Sequence, residues 1–164
     1  MIPELLEALT TDSLFQEWQQ RHGSASLSHF FAQINAKLEL KSSWEIGYYE
    51  KDADKITVFR QLDHGFEIKP ADDVFKKDDA VVEQLSLDSL NVHFEKAQEI
   101  AREKFPELFP KETLGDGFVI LQAFKEQVLW NFTVISKSLQ FLNVKIGADS
   151  GNVESHQAVS LVQS

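Results

Sequence analysis

At 164 residues, with 43% hydrophobic content including 13 Phe and 3 Trp, the chain can bury a full core without disulfides or metals. Charged residues make up 26%, which excludes disorder, and a net charge of −10 with no Lys/Arg stripe excludes binding to phosphate backbones. The absence of cysteine excludes disulfides, thiolate catalysis and thiolate metal sites.

The first twenty-odd residues read as helix. Pro3 suits a first helical turn, where its missing N–H costs nothing. Residues 10–13 interrupt or re-cap the helix, because Ser13 followed by Gln16 has capping-box spacing. Leu14, Phe15 and Trp18 then form an apolar stripe, and Gly23 ends the segment. From 27 to 40 the pattern switches to period two, with Phe30, Ala32, Ile34, Ala36, Leu38 and Leu40 on one face. Trp44, Ile46 and Tyr48 give a second strand, Ile56 and Val58 a third, and Phe66-Glu67-Ile68 a short fourth. Pro70 stops that strand or confines it to an edge. Tyr48 and Tyr49 point to opposite faces, so one of the two is expected to be exposed.

Residues 70–88 form a charged connection, anchored by Val74, Phe75, Val81, Val82 and Leu85. A second helix is expected from Asp88-Ser89, both good cap types, through Leu90, Phe94, Ala97, Ala101 and Phe105 to a stop at Pro106. Strands follow at about 117–125, 128–136, 139–147 and 153–162. In the third of these Leu142, Val144, Ile146 and Ala148 alternate, and Asp149-Ser150-Gly151 supplies the turn into the last.

Each half therefore reads as a helix followed by four strands. The expected fold is α+β: two αββββ units, 1–69 and 89–164, joined by the connection at 70–88 into one compact body. Segment 27–40 answers 117–125, and the Asp-rich turn at 52–54 answers 149–151, with Lys55 in the place of Gly151.

Each candidate catalytic or metal signature also has a plainer structural role. The histidines are His22, His29, His64, His93 and His156, and no two have helical metal-pair spacing. His93 with Glu95, or with Lys96 and Glu99, offers two ligands but no third, so a solvated helix face is the better reading. Asp72-Asp73 and Asp78-Asp79 lack the alternation and glycine of a calcium loop, and Asp52-Ala53-Asp54 reads as a hairpin turn. Nucleophile-elbow and phosphate-loop sequences are absent. Trp44, Tyr48, Tyr49, Trp130 and Phe132 could line a sheet pocket, but core packing is the simpler expectation. No catalytic, cofactor-binding or metal-ligating residue is assigned, and no cofactor is expected.

Residues 90–156 resemble the PepSY domain family. The matching features are the helix with Ala97 and Ala101, Phe105-Pro106, the strand Trp130-x-Phe132-x-Val134, and Val144-x-Ile146-x-Ala148-Asp149-Ser150-Gly151-x-Val153. In the first half Trp44 stands as a counterpart of Trp130. The resemblance implies a helix layered on an antiparallel sheet, as in cystatins, and a non-catalytic role such as inhibiting a peptidase or serving as an interaction module. Its relatives are usually exported, whereas Met1–Glu7 lacks a basic leader, so a cytoplasmic location is expected here. The functional expectation is a non-catalytic module that binds another protein or a small ligand, and neither nucleic acid nor membrane. The alternatives are a small-molecule-binding or enzymatic α+β barrel-like protein with a concave sheet pocket, and an acidic mimic of nucleic acid.

Overall fold

The computed structural model describes residues 1–73 and 82–162, and of residues 70–73 the backbone alone. Two short helices open the chain, α1 (Ile2–Thr10) and α2 (Ser13–Arg21). Their break is real, but the cap is Asp12, not Ser13: its carboxylate accepts the Leu14 N–H at 2.9 Å. A four-stranded meander follows: β1 (Ser26–Ile34), β2 (Glu45–Glu50), β3 (Lys55–Gln61) and β4 (Phe66–Asp73). The second half repeats the order with α3 (Phe94–Leu108), β5 (Leu114–Phe124), β6 (Gln127–Ser136), β7 (Gln140–Gly147) and β8 (Val153–Ser160).

Among the described residues the eight strands form one antiparallel sheet in the order β4-β3-β2-β1-β5-β6-β7-β8. The two meanders thus meet through their first strands, with Phe30 opposite Leu121 and Ala32 opposite Val119. The fold is α+β, as the alternating patterns implied.

The helices pack on one face of the sheet. Phe15 and Trp18 of α2 meet Tyr48 and Phe59, while Phe94 of α3 meets Trp130 and Phe132. Trp44 of the first half packs into the α3 cluster, its ring edge-on to Phe94 and its centroid 6.2 Å from that of Trp130. The Trp130 indole donates to the Val92 carbonyl at 2.7 Å, so its polar edge is satisfied inside the core.

Four local expectations are corrected. β1 stops at Ile34, because Asn35 Oδ1 accepts the N–H groups of Lys37 and Glu39 and folds the chain into a turn, with Leu38 at φ 64°. The second helix begins at Phe94 instead of near Asp88, since the N–H groups of Asn91 and Val92 both donate to the Ala148 carbonyl. Pro106 does not end that helix but sits in its last turn, where the chain forgoes the bond an N–H at this position would make four residues back and still continues to Leu108. Tyr48 and Tyr49 are both buried: Tyr48 lies under α2, and Tyr49 on the other face donates from Oη to Asp54 Oδ1 at 2.6 Å.

The pairing of the turns also shifts by one hairpin. The turn at 52–54 joins β2 to β3, whereas Asp149-Ser150-Gly151 joins β7 to β8. The counterpart of Gly151 (φ 79°) is Gly65 (φ 87°), between β3 and β4. Both positions hold a left-handed backbone that glycine adopts without steric cost. β4 runs past Pro70 to Asp73 at an edge of the sheet, where a missing N–H is tolerated. Val74, Phe75, Asp78, Asp79 and Val81 lie outside the described residues. Beyond them Leu85 is buried and its N–H donates to the Leu27 carbonyl, while Glu83 accepts the N–H groups of Lys125 and Glu126 in the β5–β6 turn.

Candidate functional site

The site lies on the sheet face opposite the helices. Period-two alternation forces this: once Trp130, Phe132, Leu142 and Val144 face the helices, Asn131, Thr133, Asn143 and Lys145 face away. The register then brings them together, with Asn131 opposite Lys145 and Thr133 opposite Asn143. Gln157 of β8 pairs with Asn143 on its other side. Phe118, Phe141 and Val159 complete the walls of an open cleft of about 370 Å³.

Its polar floor is interlocked. Asn143 is only 6% exposed, and its Nδ2 donates to the Phe132 carbonyl at 3.2 Å, to Thr133 Oγ1 at 2.8 Å and to Asn131 Oδ1. Lys145 Nζ donates to Asn143 Oδ1 at 2.9 Å. The Phe132 carbonyl can only accept and the ammonium can only donate, so these two contacts settle which way the Asn143 amide points. Burial lowers the pKa of Lys145, and among the described residues no carboxylate pairs with it.

The same face of the first half is organised differently. Glu45 lies between Lys69 Nζ at 3.0 Å and Arg60 Nε at 3.8 Å, and Arg60 Nη1 also meets Glu67 at 3.1 Å. Those charges neutralise one another. Beside them His29 packs over Gly47, and burial lowers its pKa to about 4, against the opposing charge of Glu45.

The histidines are dispersed. His22 bonds Glu50 at 2.8 Å and stacks on Trp18, His64 sits in the exposed β3–β4 loop, and His156 lies edge-on to Phe109. His93 caps α3 with its Nδ1 buried and without a hydrogen-bond partner. Among the described residues, no three His, Asp or Glu side chains converge as metal ligands would. The strand aromatics Tyr48, Trp130 and Phe132 belong to the core beneath the helices, where burial also pushes the Tyr48 hydroxyl up to about 12.

None of the cleft's polar residues stood out in the sequence. The signal was present as Asn-x-Thr on one strand and Asn-x-Lys on the next, but each pair alone reads as an ordinary solvated face. Only the β6–β7 register makes them one cluster.

No protein-family model matches the sequence, and no curated protein matches it. Among solved structures, a protein from Clostridium difficile 630 described as a "putative lipoprotein" is similar in fold, with a TM-score of 0.55. The match covers 88% of this chain and 90% of that one at 11% identity, so the likeness is one of fold alone. Among the described residues no helix is long and apolar enough to cross a membrane.

Proposed function

We propose that this chain is a non-catalytic binding module that takes a small ligand in the Asn131–Lys145 cleft on the helix-free face of its sheet. The observation that carries this reading is the interlocked polar floor. A solvated strand face has no need to bury Asn143 at 6% exposure within a fixed amide–hydroxyl–ammonium network. Aromatic walls around a few convergent polar groups, in a volume of about 370 Å³, are the usual make-up of a small-molecule site. The lining offers amides, a hydroxyl and an ammonium, a set suited to holding a ligand by hydrogen bonds.

The PepSY-like features of residues 90–156 agree with a binding role, since that resemblance implies an interaction module. The test is a ¹H–¹⁵N correlation experiment on the full chain with a chemically varied set of small compounds. Shifts that saturate and cluster at Asn131, Thr133, Asn143 and Lys145 are expected. The proposal fails if the compounds leave those resonances unmoved or perturb other surfaces instead.

A further inference from the structure

The hydrogen-bond directions in the cleft specify the chemistry of its ligand. We propose that it binds a small monocarboxylate with a flat apolar body, the carboxylate resting on Lys145 and Asn131 and the body between Phe118 and Phe141. This deepens the binding reading above and rests on it.

The free donors of the cleft set the ligand class. With the Asn143 amide settled by the Phe132 carbonyl and the Lys145 ammonium, the atom of Asn131 facing Asn143 Nδ2 must be an acceptor, its Oδ1. Thr133 Oγ1 donates to that same oxygen at 3.4 Å. The side-chain oxygens of Asn131, Thr133 and Asn143 are therefore engaged from within the network, while Gln157 at the exposed rim brings an amide with both an acceptor and donors. Donors remain in surplus: Asn131 Nδ2 and the other ammonium N–H bonds of Lys145 have no protein acceptor among the described residues. A floor with spare donors calls for a group that only accepts, and an ionised oxyanion is that group.

Charge narrows the class. Among the described residues Lys145 is the sole charged one lining the cleft, within a protein of net charge −10. One cation matches one negative charge, and a phosphate dianion would leave a second charge uncompensated inside an acidic molecule. Phe118 is itself stacked on Phe31 at 5.7 Å, which fixes one wall as a flat apolar surface.

The experiment compares phenylacetate, its neutral isostere phenylacetamide, and phenyl phosphate by NMR titration of the full chain. Phenylacetate is expected to bind at least about tenfold more tightly than either of the others, moving the Asn131 side-chain NH₂ and the Lys145 signals. Lys145→Gln is expected to abolish the preference for acid over amide while leaving the spectrum otherwise folded. The comparison within the native chain stands even if that variant does not fold. Equal or tighter binding of the amide overturns the carboxylate assignment and leaves the binding reading intact, and tighter binding of phenyl phosphate overturns the single-charge assignment. Silence from all three probes overturns the inference, whereas the binding reading falls only if the wider compound set also leaves the cleft unmoved.

Discussion

The imidazole of His29 occupies the space that a side chain at position 47 would need. A β-carbon on Gly47 would lie 2.2 Å from the nearest ring atom, and the two residues are register partners across β1 and β2. Gly47→Ala must therefore displace the ring or the strand, and a loss of about 1–3 kcal/mol is expected by urea denaturation. In the double variant with His29→Ala the second substitution should cost much less, giving a coupling energy in a double-mutant cycle. Additive losses would show that the contact is not the cause.

The same ring makes stability depend on pH. His29 is held neutral, its pKa lowered from 6.5 to about 4 by burial, with Glu45 the charge that opposes the shift. Between those values the unfolded chain binds a proton that the folded chain refuses, so stability rises with pH across this window. The contribution is fully present above pH ~6.5 and lost on acidification towards pH ~4, an upper bound of about 3 kcal/mol. Denaturation curves of the native chain and His29→Gln, taken at several pH values, should diverge in slope within that window. Parallel curves would rule out His29 as the source.

Trp130 is expected to be the most sensitive position in the second half. Trp130→Phe removes the donor to the Val92 carbonyl and leaves that oxygen buried, besides opening space beside Phe94. Together these effects should cost about 2–4 kcal/mol. Hydrogen exchange offers an independent check: the indole N–H of the native chain should exchange only with global unfolding.

Removing the hub of the cleft should separate stability from shape. Asn143→Leu is close in volume but leaves the Phe132 carbonyl, Thr133 and Lys145 without their shared partner. A loss of about 2 kcal/mol is expected, with Lys145 becoming more mobile in side-chain NMR relaxation. An unchanged denaturation midpoint would mean that water replaces the network at no cost.

Much of the fold was readable because it follows from short periods. The alternations Trp130-Phe132-Val134 and Leu142-Val144-Ile146 place their strands and faces without outside information, and the core confirms both. Errors came where a distant or side-chain partner overrides the pattern. Leu90 continues the spacing of α3, yet Asn91 and Val92 are tied to the Ala148 carbonyl, far along the chain. Ala36 and Leu38 continue the alternation of β1, yet Asn35 captures the backbone two and four residues ahead. The cleft was hidden for a different reason. Asn131, Thr133, Asn143 and Lys145 each occupy a position where a polar residue is unremarkable, and only cross-strand pairing makes their neighbourhood visible.

The seam between β1 and β5 has a further consequence. Two meanders related in this way could in principle be separate identical chains, each offering its first strand to the other. In such a pair every surface would occur twice, and any change to one copy would be imposed on the other. Joining the halves in a single chain removes that constraint and the concentration dependence of pairing along with it. One half can hold a self-neutralised ladder around Glu45 while the other keeps the uncompensated Lys145. Covalent linkage thus permits an asymmetric molecule on a symmetric plan, free of the duplicate site that a homodimer would carry.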